Sequence, residues 1–268
     1  RPARVAAEDE HSANRDIVLC LDVSGSTLPY DQQVIATYRT LISHFKGERI
    51  GLSIFNSTSR TVFPLTDDYT MAARQLEHAD DLLRGVETQD DIDKMSAQQY
   101  QQVSDWLAGT QNRKNATSLI GDGLVSCAAM LPGFTYGGTQ ADQSRDASIV
   151  LATDNVVSGT QTYTLAQALD LTSKAGITVD GLFSGPSQSD HDEATEQMRT
   201  LIEQHHGTFL LQSDGDSVAD LVRAIDRRQI SAVDEASQAD WTDAPGWWTL
   251  AIAVLLAVAT ASCCWYGW

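Results

Sequence analysis

The sequence predicts an α/β fold, a doubly wound and mostly parallel sheet with one antiparallel edge strand, followed by a C-terminal transmembrane helix. Three observations carry this expectation. Short continuous apolar runs such as Ile17–Leu21 and Ala147–Thr153 have the pattern of strands buried on both faces. These runs alternate with helical patterns, the order that builds a parallel sheet covered by helices. Finally, residues 246–268 contain no charged side chain around the apolar core Leu250–Ala259, and about 20 apolar residues suffice to cross a bilayer core.

Residues 1–14 are polar and of mixed charge, and read as a juxtamembrane linker. The folded domain is expected over 15–230. Ile17–Leu21 leads into the turn-rich Asp22–Thr27. A helix follows from Pro29 to Phe45, with Val34, Ile35, Tyr38, Leu41, Ile42 and Phe45 on one stripe. Pro29 suits its first turn. Ile50–Phe55 and Arg60–Leu65 form a hairpin-like pair, and Pro64 places the second run at a sheet edge. Helical patterns cover Tyr69–Leu83 and Ala97–Leu107, with the acidic stretch Glu87–Asp93 between them read as loop.

Another helix spans Leu119–Met130, ahead of the Gly-rich loop Pro132–Thr139. The strands Ala147–Thr153, Ile177–Phe183 and Gly207–Leu211 alternate with helices Leu165–Lys174 and Asp190–Gln204. A last helix, Ser217–Arg227, gives way to a polar linker over 231–245. The tail 246–268 is read as a membrane span. Trp247 and Trp248 at one end, and Trp265, Tyr266 and Trp268 at the other, resemble interfacial aromatic belts.

Charge narrows the function classes. Eighteen Lys and Arg face 36 Asp and Glu, a formal net charge of -18. Such a field repels phosphate backbones, so nucleic acid is excluded as a partner, while cations and basic surfaces are favoured. Of four cysteines, Cys20 and Cys127 fall in apolar contexts and read as small buried hydrophobes. Cys263 and Cys264 belong to the tail. No CxxC pair occurs, so cysteine-based zinc or redox chemistry has no support.

The chemistry concentrates at strand ends, where doubly wound sheets bind ligands. Asp22, Ser24 and Ser26 alternate along one tight loop, with Gly25 permitting the turn. Thr153-Asp154 ends a later strand. A third oxygen source lies in Asn115–Leu124 at the entrance of a helix. Hydroxyls and carboxylates without thiolate or imidazole select Mg²⁺, Mn²⁺ or Ca²⁺ over zinc or copper. An ion held by two carboxylates and neutral hydroxyls keeps an appetite for one more anionic oxygen.

Asp22-Val-Ser-Gly-Ser26, Ser118-Leu-Ile-Gly-Asp-Gly-Leu124 and Val150-Leu-Ala-Thr-Asp154 resemble the three metal-ion-dependent adhesion site segments of von Willebrand factor A (VWA) domains. The resemblance covers Arg15–Ile230. It implies the Rossmann-like VWA fold. It also implies metal ligation by Asp22, Ser24, Ser26 and Asp154, with an acidic side chain of a protein partner as the remaining ligand. For the second loop, spacing to Gly-Asp-Gly points to Ser118 and residue type to Thr117. Asn155 departs from the Gly that often follows the third-loop Asp.

Arg1-Pro2, the approach Asn14–Leu19 and the C-terminal span resemble bacterial aerotolerance-type (Bat-like) membrane proteins. That resemblance implies a membrane-anchored, extracytoplasmic VWA domain. It further implies membrane helices upstream of Arg1 and a role in envelope protein complexes beside a MoxR-type AAA+ ATPase. Two rival readings are a metal-independent scaffold and a phosphatase-like hydrolase. Catalysis is not expected. A haloacid-dehalogenase-type phosphatase needs a carboxylate where Ser24 stands, and neither a G-x-S-x-G elbow nor a GxxxxGK[ST] loop is present.

Overall fold

A computed structural model of the chain describes residues 15–135, 145–212 and 219–223. Its centre is a six-stranded sheet in the order β3-β2-β1-β4-β5-β6. The strands are β1 (Arg15–Asp22), β2 (Arg49–Phe55), β3 (Ser59–Thr66), β4 (Asp146–Thr153), β5 (Ile177–Phe183) and β6 (Phe209–Leu211). All pairs are parallel except β2 with β3, where the antiparallel hairpin closes the sheet. Pro64 lies in this edge strand, where its missing N–H costs no central ladder bond.

The helices are α1 (Leu28–Ser43), α2 (Tyr69–Leu82), α3 (Gln89–Asp93), α4 (Ala97–Leu107), α5 (Ile120–Ala128), α6 (Leu165–Lys174) and α7 (Glu193–Gln204). Alternate residues of β1 feed two different cores. Ile17, Leu19 and Leu21 pack with α1, α2 and α4, whereas Val18 and Cys20 pack with α5, α6 and α7. Every residue of β1 is buried, as the continuous apolar run predicts for a central parallel strand. Residues 219–223 are helical within the expected last helix, and Leu221 joins the first core.

Three expectations are corrected. Gln89–Asp93 forms a short helix, because Thr88 and Asp91 make a reciprocal capping box. Cys20 and Cys127 are buried as read, but they are joined in a disulfide across 107 residues that ties β1 to α5. Gly25 is not at a position that requires glycine: a Cβ there would meet nothing within 4 Å.

The linkers 1–14 and 231–245 and the expected membrane span 246–268 lie outside the described residues. Among those described, no helix is long and apolar enough to cross a membrane.

Candidate metal centre

The chain runs from β1 to β2 on one side of the sheet and later returns to β4 on the other, so β1 and β4 are neighbours with diverging connections. Their carboxyl ends form the switch point where a crevice opens. Asp22 ends β1, and Thr153-Asp154 ends β4. The third segment enters α5, which packs on the β1 face through Cys20 and the disulfide.

Asp22 is the hub. It is fully buried, and its Oδ2 accepts hydrogen bonds from the hydroxyls of Ser118 at 2.5 Å and Thr153 at 2.7 Å. Its Oδ1 accepts the Ser24 amide at 3.0 Å, which closes the first loop. Thr27 braces the same turn by donating to the Asp22 carbonyl at 2.8 Å. Ser24 Oγ and Ser26 Oγ lie 3.1 Å apart. Asp154, with 5% of its surface exposed, accepts the Val156 amide at 3.0 Å and has the Ser26 hydroxyl beside it. Ser118 spends its proton on Asp22, leaving its oxygen lone pairs free for a cation.

Burial pushes the Asp22 carboxyl up to about 6, and the charge of Asp154 adds to the rise. Hydrogen bonds from Ser118, Thr153 and Ser24 oppose it. Burial likewise raises Asp154, against the Ser26 and Val156 hydrogen bonds. No basic side chain among the described residues ion-pairs with either acid. The donor set of two carboxylates and several hydroxyls fits a hard divalent cation.

The fold separates the two second-loop candidates. Ser118 is 1% exposed and touches Asp22. Thr117 is exposed, and its backbone pairs with Ser158 in an isolated bridge. Ser118 reaches inward by adopting a left-handed backbone with φ of 51°. Such a conformation is costly for a side-chain-bearing residue and persists where its surroundings hold it. Asn56 does this holding: its side chain accepts the Ser118 amide at 3.0 Å and its carbonyl accepts that of Leu119 at 2.9 Å.

Asn155, the departure from glycine, also adopts a left-handed conformation at φ 56°. Its amide hydrogen goes to Thr153 Oγ1 and its side chain donates to the Ala194 carbonyl, so the loop shape is kept without glycine.

The glycines of the second segment are required by packing. A Cβ on Gly121 would lie 2.0 Å from the Tyr163 carbonyl, and one on Gly123 would lie 2.5 Å from the Phe55 ring. Asp122 between them accepts the amides of Thr162 and Tyr163 and pairs with Arg113. It serves the neighbouring loop, not the crevice.

The von Willebrand factor type A family model matches residues 17–125, which contain the first two site segments. Over this stretch the chain is similar to von Willebrand factor type A (VWA) domains. Among solved structures, the chain is similar in fold to the conserved hypothetical protein BatB from Bacteroides thetaiotaomicron. The TM-score is 0.53 at 15% identity, over 80% of this chain and 98% of that one. It is also similar to an aerotolerance-related membrane protein from Bacteroides fragilis, with a TM-score of 0.52 at 17% identity, over 81% of this chain and 99% of that one. At these identities the likeness is one of fold. Among curated proteins, none matches the sequence.

Asn56 and Asp31 escaped the sequence reading. Asn56 sits in an Asn-Ser-Thr triplet that gives no sign of its role. Asp31, on α1, is wholly buried, and neither carboxylate oxygen makes a hydrogen bond of good geometry among the described residues, although the Thr27 hydroxyl lies near enough to oppose the rise in its pKa. Burial, then the charges of Asp22 and Asp154, hold its carboxyl well above the usual range. An acid nine positions after Asp22 was the only signal, and it does not distinguish a buried group from a solvated helix start.

Proposed function

We propose that the chain carries a VWA domain that acts as a metal-dependent protein-binding module. Asp22, Ser24, Ser26, Ser118 and Asp154 hold Mg²⁺, Mn²⁺ or Ca²⁺, and an Asp or Glu of a protein partner supplies the remaining ligand. The observation that carries the reading is the environment of Asp22. It is a fully buried carboxylate satisfied only by two hydroxyls and an amide, with a second acid nearby and no basic partner among the described residues. An isolated buried charge of this kind is costly unless an ion compensates it.

When bound, the cation offers a positive point to an incoming carboxylate. The chain's own residues prepare that point. Ser118 and Thr153 orient Asp22, Asp22 and Thr27 brace the Ser24 turn, and Asn56 fixes Ser118. Thr117 is left outside the ligand set. The module binds and does not catalyse, since Ser24 stands where a phosphatase of similar topology would need its acid.

The same reading places the domain outside the cytoplasm, anchored by the tail 246–268, in envelope protein assemblies served by a MoxR-type AAA+ ATPase. It is supported by the likeness of fold to the two Bacteroides proteins and by the Cys20–Cys127 disulfide, a bond typical of oxidising compartments.

Calorimetric titration of Mg²⁺ and Mn²⁺ into the full chain in mild detergent tests the proposal. Saturable binding is expected in the wild type and is lost in Asp22→Ala and Asp154→Ala. A folded wild type that takes up neither ion would overturn it in favour of a metal-free scaffold.

A further inference from the structure

Beside the metal loops lies a cleft of about 440 Å³ whose lining includes Ser26 and Asp154. Its size is that of small-ligand clefts, about 300–1,000 Å³. Tyr30, Val156, Phe183 and Pro186 supply apolar wall, and Glu87 and Asp192 supply carboxylates. Val156 is 54% exposed; with Val157 and Tyr100 it completes the exposed large hydrophobics among the described residues. Two of these three therefore lie within three residues of Asp154. Apolar surface left exposed at the rim of a polar site marks a contact surface.

Glu87 and Asp192 are both exposed, and neither ion-pairs with a basic residue among the described ones. Asp192 is the N-cap residue of α7, yet its side chain makes no capping bond. A side chain entering this cleft meets apolar wall and two carboxylates together. An anionic one is repelled, and a short aliphatic one leaves the carboxylates unmet. A long cationic one answers both features, laying its methylenes on the wall while its charge reaches the acids.

We infer that the cleft takes a Lys or Arg side chain of the same partner whose acidic residue engages the cation. The recognised segment then carries an acid and a base within a few residues of each other. This inference rests on the metal-dependent reading above. The net charge of -18 adds long-range attraction for such a basic neighbour and speeds encounter.

The test uses an array of synthetic peptides, each with a central Asp or Glu in a Gly/Ser background and one varied residue at up to three positions on either side. The full chain is applied in Mg²⁺ and, in parallel, in EDTA. Retention that requires Mg²⁺ and rises about fivefold with Lys or Arg at a preferred position, the scale of a partly exposed ion pair, is the expected result. The double variant Glu87→Gln/Asp192→Asn should lose this preference while titrating Mg²⁺ like the wild type.

Metal-dependent retention without a basic preference, with an aliphatic preference, or with a basic preference that survives in the double variant overturns the inference and leaves the proposed function standing. If the chain binds Mg²⁺ but retains no acidic peptide, the carboxylate-binding function itself falls, and this inference falls with it.

Discussion

The central strand β1 carries a buried aspartate at each end, and the fold treats them in opposite ways. Asp16, 2% exposed, receives two hydrogen-bonded contacts from Arg49 at 2.8 and 2.6 Å and one from Arg145 at 2.8 Å. Asp22, fully buried, receives only hydroxyls and an amide, with Asp154 adding like charge. One end is a closed ion cluster that needs nothing further. The other retains a demand for positive charge that no described side chain meets. Two carboxylates on the same strand thus meet opposite electrostatic surroundings, and what separates them is the charge of their neighbours.

Replacing each by its amide should separate them most sharply. Asp16→Asn leaves two guanidinium groups without their counter-ion and should cost about 3 kcal/mol, the low end for a broken buried pair because both arginines are partly exposed. Its Mg²⁺ affinity should not change. Asp22→Asn should abolish Mg²⁺ binding and raise the stability of the metal-free domain at pH 7, because an uncompensated buried acid is removed. Urea denaturation in EDTA, with calorimetry alongside, reads both. Stability changes of the same sign in the two variants would break the comparison.

The next effect is one of pH. The Asp22 carboxyl sits at about 6 in the folded domain against 3.8 in the open chain, so the unfolded state gives up this proton first. Metal-free stability is therefore greatest at low pH with respect to this group, and falls as pH rises from about 4 to 6. The loss is between about 2 and 3 kcal/mol. Saturating Mg²⁺ should flatten the slope by favouring the ionised form. A flat profile in EDTA would show that Asp22 is already compensated within the chain.

The smallest contrast concerns Asp31, whose carboxyl is also raised, by burial first and then by Asp22 and Asp154. Asp31→Asn should be more stable than the wild type at pH 7 in EDTA. That gain should fade toward pH 4, where the unfolded wild type also keeps its proton. Thermal melts at both pH values measure it, and a gain independent of pH would assign Asp31 a packing role only.

Much of this molecule is legible in its residues. The run Ile17–Leu21 ends at Asp22 and Ile149–Thr153 ends at Asp154, and both prove to be central parallel strands with their acids at the crevice. Pro64 signals the edge. Those signals are local: side-chain periodicity, a residue unable to donate, a loop of alternating oxygens. The short helix at Gln89–Asp93 is the local feature that misled, since its acidic composition masks the Thr88–Asp91 capping box.

What escaped is what depends on distant partners. The disulfide joins positions 107 residues apart, and nothing around Cys20 or Cys127 announces it. Their meeting requires α5 to pack on the face of β1 from which Cys20 projects. Ser118 and Thr117 are adjacent hydroxyls of similar chemistry. The choice between them needed the left-handed backbone at Ser118 and the hydrogen bond its amide donates to Asn56, 62 residues away.

The sequence by itself determined the α/β architecture, the edge strand, and the gathering of carboxylates and hydroxyls at two strand ends, because periodicity and residue chemistry are properties of short stretches. Only the tertiary structure decided which hydroxyl faces Asp22, that Asp16 is clamped while Asp22 is not, and that Asp31 lies buried beneath the same loops. Burial and electrostatic compensation are sums over neighbours that folding alone brings together.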